Sequence, residues 1–310
     1  MRNLASSDLE SLQTTFTIPE RVRFERSPSG LIRSVITTPH AEAHVYTHGA
    51  HVTHYQRVGD KQLLFLSKKS EFSPDTSIRG GIPVIFPWFA GKAGDPSAPL
   101  HGFARFAEWT VEEVTCAVDG SVTMRFGLNA GAATYSGWPH PYDLCLQIAV
   151  GRALSLKLAL TNCSDSPVRY ENGFHTYFAV GDVRLLSIVG LRGAEYIDKT
   201  DGMRRKTQTC ERLAITGHTD RVYVGTTAAC LIEDPMWNRR LLLKKEGSAT
   251  TVVWNPWLEK ARSLPDFGDD EWAGMVCVET CNAADNTRTA QPGESHVTRV
   301  TIRSETLPAR

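Results

Sequence analysis

Asp143-Leu-Cys-Leu-Gln-Ile-Ala-Val-Gly-Arg-Ala-Leu-Ser-Leu-Lys-Leu-Ala-Leu-Thr161 is the stretch that decides the fold class. Leu144, Leu146, Ile148 and Val150 alternate with other residues, Gly151 and Arg152 interrupt, and Leu154, Leu156, Leu158 and Leu160 alternate again. A period of two puts every apolar side chain on one face of an extended chain. The segment therefore reads as two half-buried strands joined by a short turn at the glycine. Residues 111–126 repeat the pattern around Asp119-Gly120, a dipeptide that predicts a type I′ hairpin turn with positive φ at both positions. Further strand-like runs are 43–55, 62–66, 221–224, 240–244, 250–254, 275–279 and 296–302. Helical signals are few: residues 7–13, capped by Ser7, predict one short helix, and 269–273 a short turn of another. Without long amphipathic helices between the strands, a doubly wound α/β sheet is excluded. The expected fold is all-β, one large antiparallel β-sandwich with a few short helices, its mouth or concave face carrying any site.

No internal repeat, low-complexity run or Pro/Ser-rich linker divides the chain, so residues 1–20 read as an N-terminal extension and 21–310 as one domain. The 310 residues are 41% hydrophobic and carry 34 basic against 34 acidic side chains. That composition argues against global disorder. Zero net charge argues against nucleic acid or a membrane surface as the main partner, since both need surplus Lys and Arg. A small anionic ligand needs only two or three cations in one place. The seven cysteines are scattered singly with no Cys-x-x-Cys pair, and residues 1–20 lack a signal-like apolar run. A cytoplasmic protein with free thiols, expected as a monomer, is the reading.

Four segments break the alternation with polar residues in unusual company. In Ser77-Ile-Arg-Gly-Gly-Ile-Pro-Val-Ile-Phe-Pro-Trp-Phe89, Gly80 and Gly81 allow a tight backbone path that could aim Arg79 into a cavity. A proline-stiffened buried loop with a surface arginine is the plainer alternative. In Leu100-His-Gly-Phe-Ala-Arg-Phe-Ala-Glu-Trp109, His101 and Arg105 flank Gly102 closely enough for one loop to present both to one ligand. Arg grips phosphate through paired hydrogen bonds, although a structural His and a surface ion pair would look the same. His175 in Glu171-Asn-Gly-Phe-His-Thr-Tyr-Phe178 lies among aromatic residues, the setting of a core histidine or of a tuned general acid. Glu279 closes the apolar run Met275-Val-Cys-Val-Glu279 and shares the parity of Met275 and Cys277. A carboxyl held among apolar groups needs a partner or a raised pKa, unless it merely ends the strand in an ion pair.

Trp254-Asn-Pro-Trp257 sets two indoles about a rigid turn, suited to the C–H faces of a sugar and equally to a core. His44, His48, His51 and His54 match no finger or His-Glu-x-x-His spacing, so no metal is assigned to them. Nucleophile-elbow, phosphate-loop and dinucleotide-binding signatures are missing from the sequence. A reaction needing only acid and base, with no cofactor, is what remains.

Taken in order, Ile-Arg-Gly-Gly-Ile-Pro-Val-Ile-Phe-Pro-Trp-Phe89, His101-Gly-Phe-Ala-Arg, Phe-His-Thr-Tyr-Phe178, Thr219-Asp-Arg-Val-Tyr, Val-Val-Trp-Asn-Pro-Trp257, Asp266-Phe-Gly-Asp-Asp-Glu-Trp and Met-Val-Cys-Val-Glu279 resemble one family. They are similar to the glucose-6-phosphate 1-epimerases, or hexose-6-phosphate mutarotases, of the aldose 1-epimerase superfamily, from about residue 35 to residue 302. The resemblance implies a galactose mutarotase-like β-sandwich and interconversion of hexose 6-phosphate anomers. It implies His175 and Glu279 as the catalytic pair, with His101 and Asp220 holding sugar hydroxyls and Trp257 beside them. Arg79, Arg105 and Lys92 would surround the phosphate. Phe-Ala-Gly-Lys92 replaces a tighter Phe-Gly of the family pattern, and Asn-Gly-Phe174 precedes the histidine where smaller residues are usual. The catalytic pair is expected to start with an ionised carboxyl and an imidazole that is protonated or shares a proton.

Overall fold

A computed structural model describes residues 8–131 and 133–308. Every pairing between named strands is antiparallel. The deciding stretch forms Tyr142–Val150 and Leu154–Asn162, paired in register from Tyr142 opposite Asn162 to Val150 opposite Leu154. Both strands alternate buried and half-buried residues along their whole length. They sit within a nine-stranded sheet, flanked by Val122–Asn129 and Thr110–Cys116 on one side and Ser295–Thr306 and Arg239–Glu246 on the other. A second, eight-stranded sheet runs through Thr219–Val224, Thr250–Asn255, Met275–Asn282, Asn172–Phe174 and Val84–Ile85. One continuous core joins inward residues of both sheets, Leu146, Leu156 and Val300 from the first and Val253, Val276 and Val278 from the second. The all-β sandwich is thus the observed fold.

Local chemistry departs from expectation at several places. The 111–126 hairpin exists, but only Gly120 has positive φ, +80°, and Asp119 does not. Gly120 N–H donates to Ala117 C=O and Ala117 N–H to Ser121 C=O, the pattern of a type I turn closed by a left-handed glycine rather than a type I′ turn. Residues 43–55 are two strands, Ala41–Tyr46 and His51–Arg57, broken at Gly49 and Ala50, both at positive φ. In residues 62–66 only Leu63, Leu64 and Phe65 are buried, and the segment forms only isolated bridges, Leu64 to Phe178 and Leu66 to Gly80. Helix Leu9–Phe16 is capped by Asp8, whose carboxylate accepts from Ser11 N–H, while Ser7 lies outside the described residues. The predicted turn near 269–273 is the 3₁₀ segment Glu271–Gly274, and helix Trp257–Arg262 had no sequence signal. Among the described residues, no helix is long and apolar enough to cross a membrane.

What positions a site is the second sheet's outer face. Every residue of Met275–Asn282 is buried, so the strand is covered on both sides. Val276 and Val278 face the main core. Met275, Cys277 and Cys281 face outward into smaller clusters with Tyr177, Phe267, Ile85 and Val252.

Candidate active site

Glu279 lies on that outward face, between Cys277 and Cys281, as its parity predicts. Its cross-strand neighbour on one side is Val252. On the other side, Phe174 pairs with Thr280 and Tyr177 with Cys277. These two pairings share one register, so His175 stands opposite Glu279 in a ladder whose bonds are locally diverted. His175 N–H donates to Pro83 C=O and Tyr177 N–H to Gly81 C=O instead. The result brings His175 Nε2 to 3.4 Å from Glu279 Oε1 with both side chains buried. The adjacent row of the same face reads Asp220, Trp254, Cys277 and Tyr177 across four strands.

Gly173 is required here because a Cβ would lie 2.5 Å from Cys281 Sγ. Asn172 beside it is tied to Thr298 and Asn282, which anchors the strand that ends at the histidine. The His175 ring stacks on Tyr177, centroids 4.6 Å apart and planes 11° from parallel, and meets His101 and Trp254 edge-on. Cys281 Sγ–H lies 3.7 Å from Glu279 Oε2, within reach of a weak hydrogen bond.

Two strained loops supply the rest. Gly80 and Gly81 both have positive φ, and a Cβ on either would collide with the Phe65 or Val52 carbonyl. That tight path sends Arg79 inward, where Nη1–H donates to the Tyr177 hydroxyl at 3.1 Å and Nε–H to Asp266 at 3.0 Å. His51 Nε2 and His48 Nε2 bond the Gly80 and Thr76 carbonyls of this loop, each at 2.8 Å, while the His44 and His54 rings lie against each other. The four histidines therefore serve the hairpin and the arginine loop rather than one shared point. At the second loop, His101 itself has φ +62° and Gly102 φ +77°, and a Cβ on Gly102 would lie 1.9 Å from the Phe86 carbonyl. Ala90 N–H donates to His101 Nδ1 at 3.3 Å, which assigns the ring proton to Nε2.

Arg105, 6% exposed, has no hydrogen-bond partner at Nε. No carboxylate pairs with it among the described residues; its guanidinium lies 5.3 Å from the Phe106 ring. Burial pulls its pKa down to about 10. Asp220 pairs with Lys199 at 3.0 Å, and Lys199 also lies over the Phe89 ring. Lys92 sits elsewhere, 3.8 Å from Asp95 and over Trp88. Trp257 packs at a tilt against Trp272 rather than against the histidine, lining with His218, Lys260 and Ser263 a groove of about 620 Å³. Sequence reading thus missed Tyr177, Lys199, Trp254 and Asp266 as neighbours of the pair. Tyr177, Trp254 and Asp266 carried a signal, by lying inside the quoted motifs, and Lys199 carried none.

Burial, with the protein's own charges second, sets the pair opposite to expectation. Burial, reinforced by Arg105 and Arg79, holds His175 well below the usual histidine value. Burial, then Asp220, pushes Glu279 well above the usual carboxyl range. A neutral imidazole facing a proton-holding carboxyl is the arrangement these groups favour, one mobile proton between two heteroatoms. Such a pair can give and accept a proton at neighbouring atoms of a ligand.

Residues 33–303 match the family model described as aldose 1-epimerase. A Cenchrus ciliaris protein, named as an inferred glucose-6-phosphate 1-epimerase, is 32% identical over 288 residues, 89% of this chain and 86% of its own length. A protein of Escherichia coli K12 with the same name is 32% identical over 263 residues, 85% of this chain and 87% of its own. Among solved structures, an inferred mutarotase (YeaD) from Salmonella typhimurium superposes with TM-score 0.85 at 27% identity, covering 94% of this chain and 96% of that one.

Proposed function

The chain belongs to the aldose 1-epimerase family, and from that premise we propose that it interconverts the α and β anomers of hexose 6-phosphates, chiefly glucose 6-phosphate. The family accounts for anomer exchange. The observation that carries the phosphate is Arg105, a buried guanidinium without a carboxylate partner among the described residues, whose charge bears on His175 and His101. A buried cation needs an anion, and a sugar phosphate supplies one in the geometry guanidinium binds best.

In this reading Glu279 takes the proton of the anomeric hydroxyl while His175 gives one to the ring oxygen. The bond between the anomeric carbon and the ring oxygen breaks, leaving the free aldehyde. Rotation about the neighbouring carbon–carbon bond presents the other face, and the two side chains reverse roles as the ring closes. Each well-placed acid or base contributes roughly 10²–10⁴-fold. His101 and Asp220 hold hydroxyls, the latter oriented by its ion pair with Lys199. Arg79 and Arg105 hold the phosphate, Arg79 fixed in place by Asp266 and Tyr177.

Saturation-transfer NMR on glucose 6-phosphate, mannose 6-phosphate and glucose tests the assignment. Two charge-assisted bonds of about 1.5–3 kcal/mol each separate phosphorylated from free sugar by two to four orders of magnitude in kcat/KM. Free glucose exchanged as efficiently as glucose 6-phosphate would refute the phosphate site.

A further inference from the structure

The cations of this site are not centred on the reacting pair. Arg79 donates to the Tyr177 hydroxyl, and the Tyr177 ring lies flat on His175. Arg105 adds a second guanidinium whose Nε is buried and unpartnered. Both act on His175 ahead of any other charge, whereas Asp220 and Lys199 are the charges that act most on Glu279. The groups facing His175 are therefore Glu279 across the ladder, the rings of Tyr177, His101 and Trp254, and the charges of Arg79, Arg105 and Lys199. Two guanidinium ions standing on the imidazole side oppose an imidazolium. Burial is the larger influence on both groups, and with it these two charges favour the pair's proton on the carboxyl, where Glu279 is no base and His175 no acid.

We propose that the substrate's phosphate group is an activator as well as a handle: seated on Arg79 and Arg105, it draws the pair's proton onto His175, so an inorganic oxyanion in the same place switches on turnover of an unphosphorylated hexose. The inference rests on the reading of the preceding subsection. The step balances within the pair. The O–H bond at Glu279 breaks, an N–H bond at His175 Nε2 forms, and the pair's net charge does not change. A phosphate carrying close to two negative charges cancels the two guanidinium ions that opposed the imidazolium. Carboxylate and imidazolium, the base and the acid that ring opening needs, then arise together and only with the anion in place. Selectivity for phosphorylated sugar follows in kcat as well as in KM.

The test is glucose anomer exchange, followed by saturation-transfer NMR, with the full chain and rising inorganic phosphite. The same titration with Glu279→Gln protein subtracts exchange catalysed by phosphite itself. The expected result is a saturable, enzyme-dependent rise of about tenfold or more in kcat/KM for glucose, as a one-unit change in proton affinity gives. Phosphite should also compete with glucose 6-phosphate, and ¹⁵N NMR of His175 should move toward the imidazolium on phosphite binding. Arg105→Lys should weaken the activation, and Arg105→Met abolish it. Glucose 6-phosphate exchanged by the enzyme, with phosphite inhibiting it but never accelerating glucose, would overturn this proposal and leave the proposed function standing. Glucose 6-phosphate exchanged no faster than without enzyme would overturn the proposed function itself.

Discussion

His175 and Glu279 face each other across one rung of an antiparallel ladder, 3.4 Å apart, on the outer face of a sheet whose inner face belongs to the main core. The strand pairings above and below that rung keep the register unbroken, so neither side chain can shift along the sheet without displacing both strands.

Replacing Glu279 with Gln keeps its volume and removes the proposed base. Turnover of glucose 6-phosphate should fall by roughly 10²–10⁴-fold with KM nearly unchanged. Thermal stability should not drop, because no charge that stabilises the fold is lost. Saturation-transfer NMR and a melting curve on the same preparation check both halves; exchange at the wild-type rate would rule Glu279 out.

His51 is fully buried and held neutral, its pKa lowered to about 3 by burial. An unfolded histidine titrates near 6.5, so between about 6.5 and 3 the unfolded chain binds a proton that the folded one refuses. Stability is therefore present above pH 6.5 and lost on acidification, by about 1.4 kcal/mol per pH unit for this residue. Urea unfolding at stepped pH should show His51→Gln with a flatter acid limb than wild type. An unchanged slope would mean that His51 is protonated in the folded protein.

Gly102 and Gly59 share φ +77°, but a Cβ meets the Phe86 carbonyl at 1.9 Å in the first and nothing within 4 Å in the second. Gly59→Ala should cost about 1–2 kcal/mol, the left-handed strain alone. Gly102→Ala should cost several times more and pull His101 and Arg105 out of place, lowering activity in whatever protein folds. Equal melting temperatures for the two variants would contradict the close approach.

Trp254 touches the edges of His175 and Tyr177, whereas Trp257 packs on Trp272. Trp254→Leu is expected to lower kcat/KM about tenfold, equivalent to 1.4 kcal/mol of transition-state stabilisation. Trp257→Leu should register first on the unfolding curve, by about 0.5–1.5 kcal/mol for the lost ring pair. The opposite ranking would place the sugar in the groove beside His218.

Alternation from 143 to 161 was enough to read the sandwich, because side-chain direction in a strand depends only on residues two apart. Parity likewise put Glu279 on the face of Met275 and Cys277. The glycines at 80, 81 and 102 announced the two loops that carry the arginines, since only a residue without Cβ passes that close to another backbone. Residues 62–66 show the limit of the same rule. Their pattern is extended, yet a ladder needs a neighbour in register, and there the neighbours offer single bridges.

What the order of residues could not contain is which strand lies beside which. The rung joining His175 to Glu279 links residues about a hundred positions apart, and their meeting depends on how the 172–174 and 177–179 strands register against 275–282. The same holds for charge. Arg79 and Arg105 look alike in sequence, but folding gives one an aspartate from residue 266 and leaves the other's Nε unpartnered. Lys199 is brought to Asp220, and Lys92 is kept with Asp95. Local sterics write the strand and the turn into consecutive residues. Register, burial and the pairing of ions are long-range quantities, and they exist only once the chain has closed on itself.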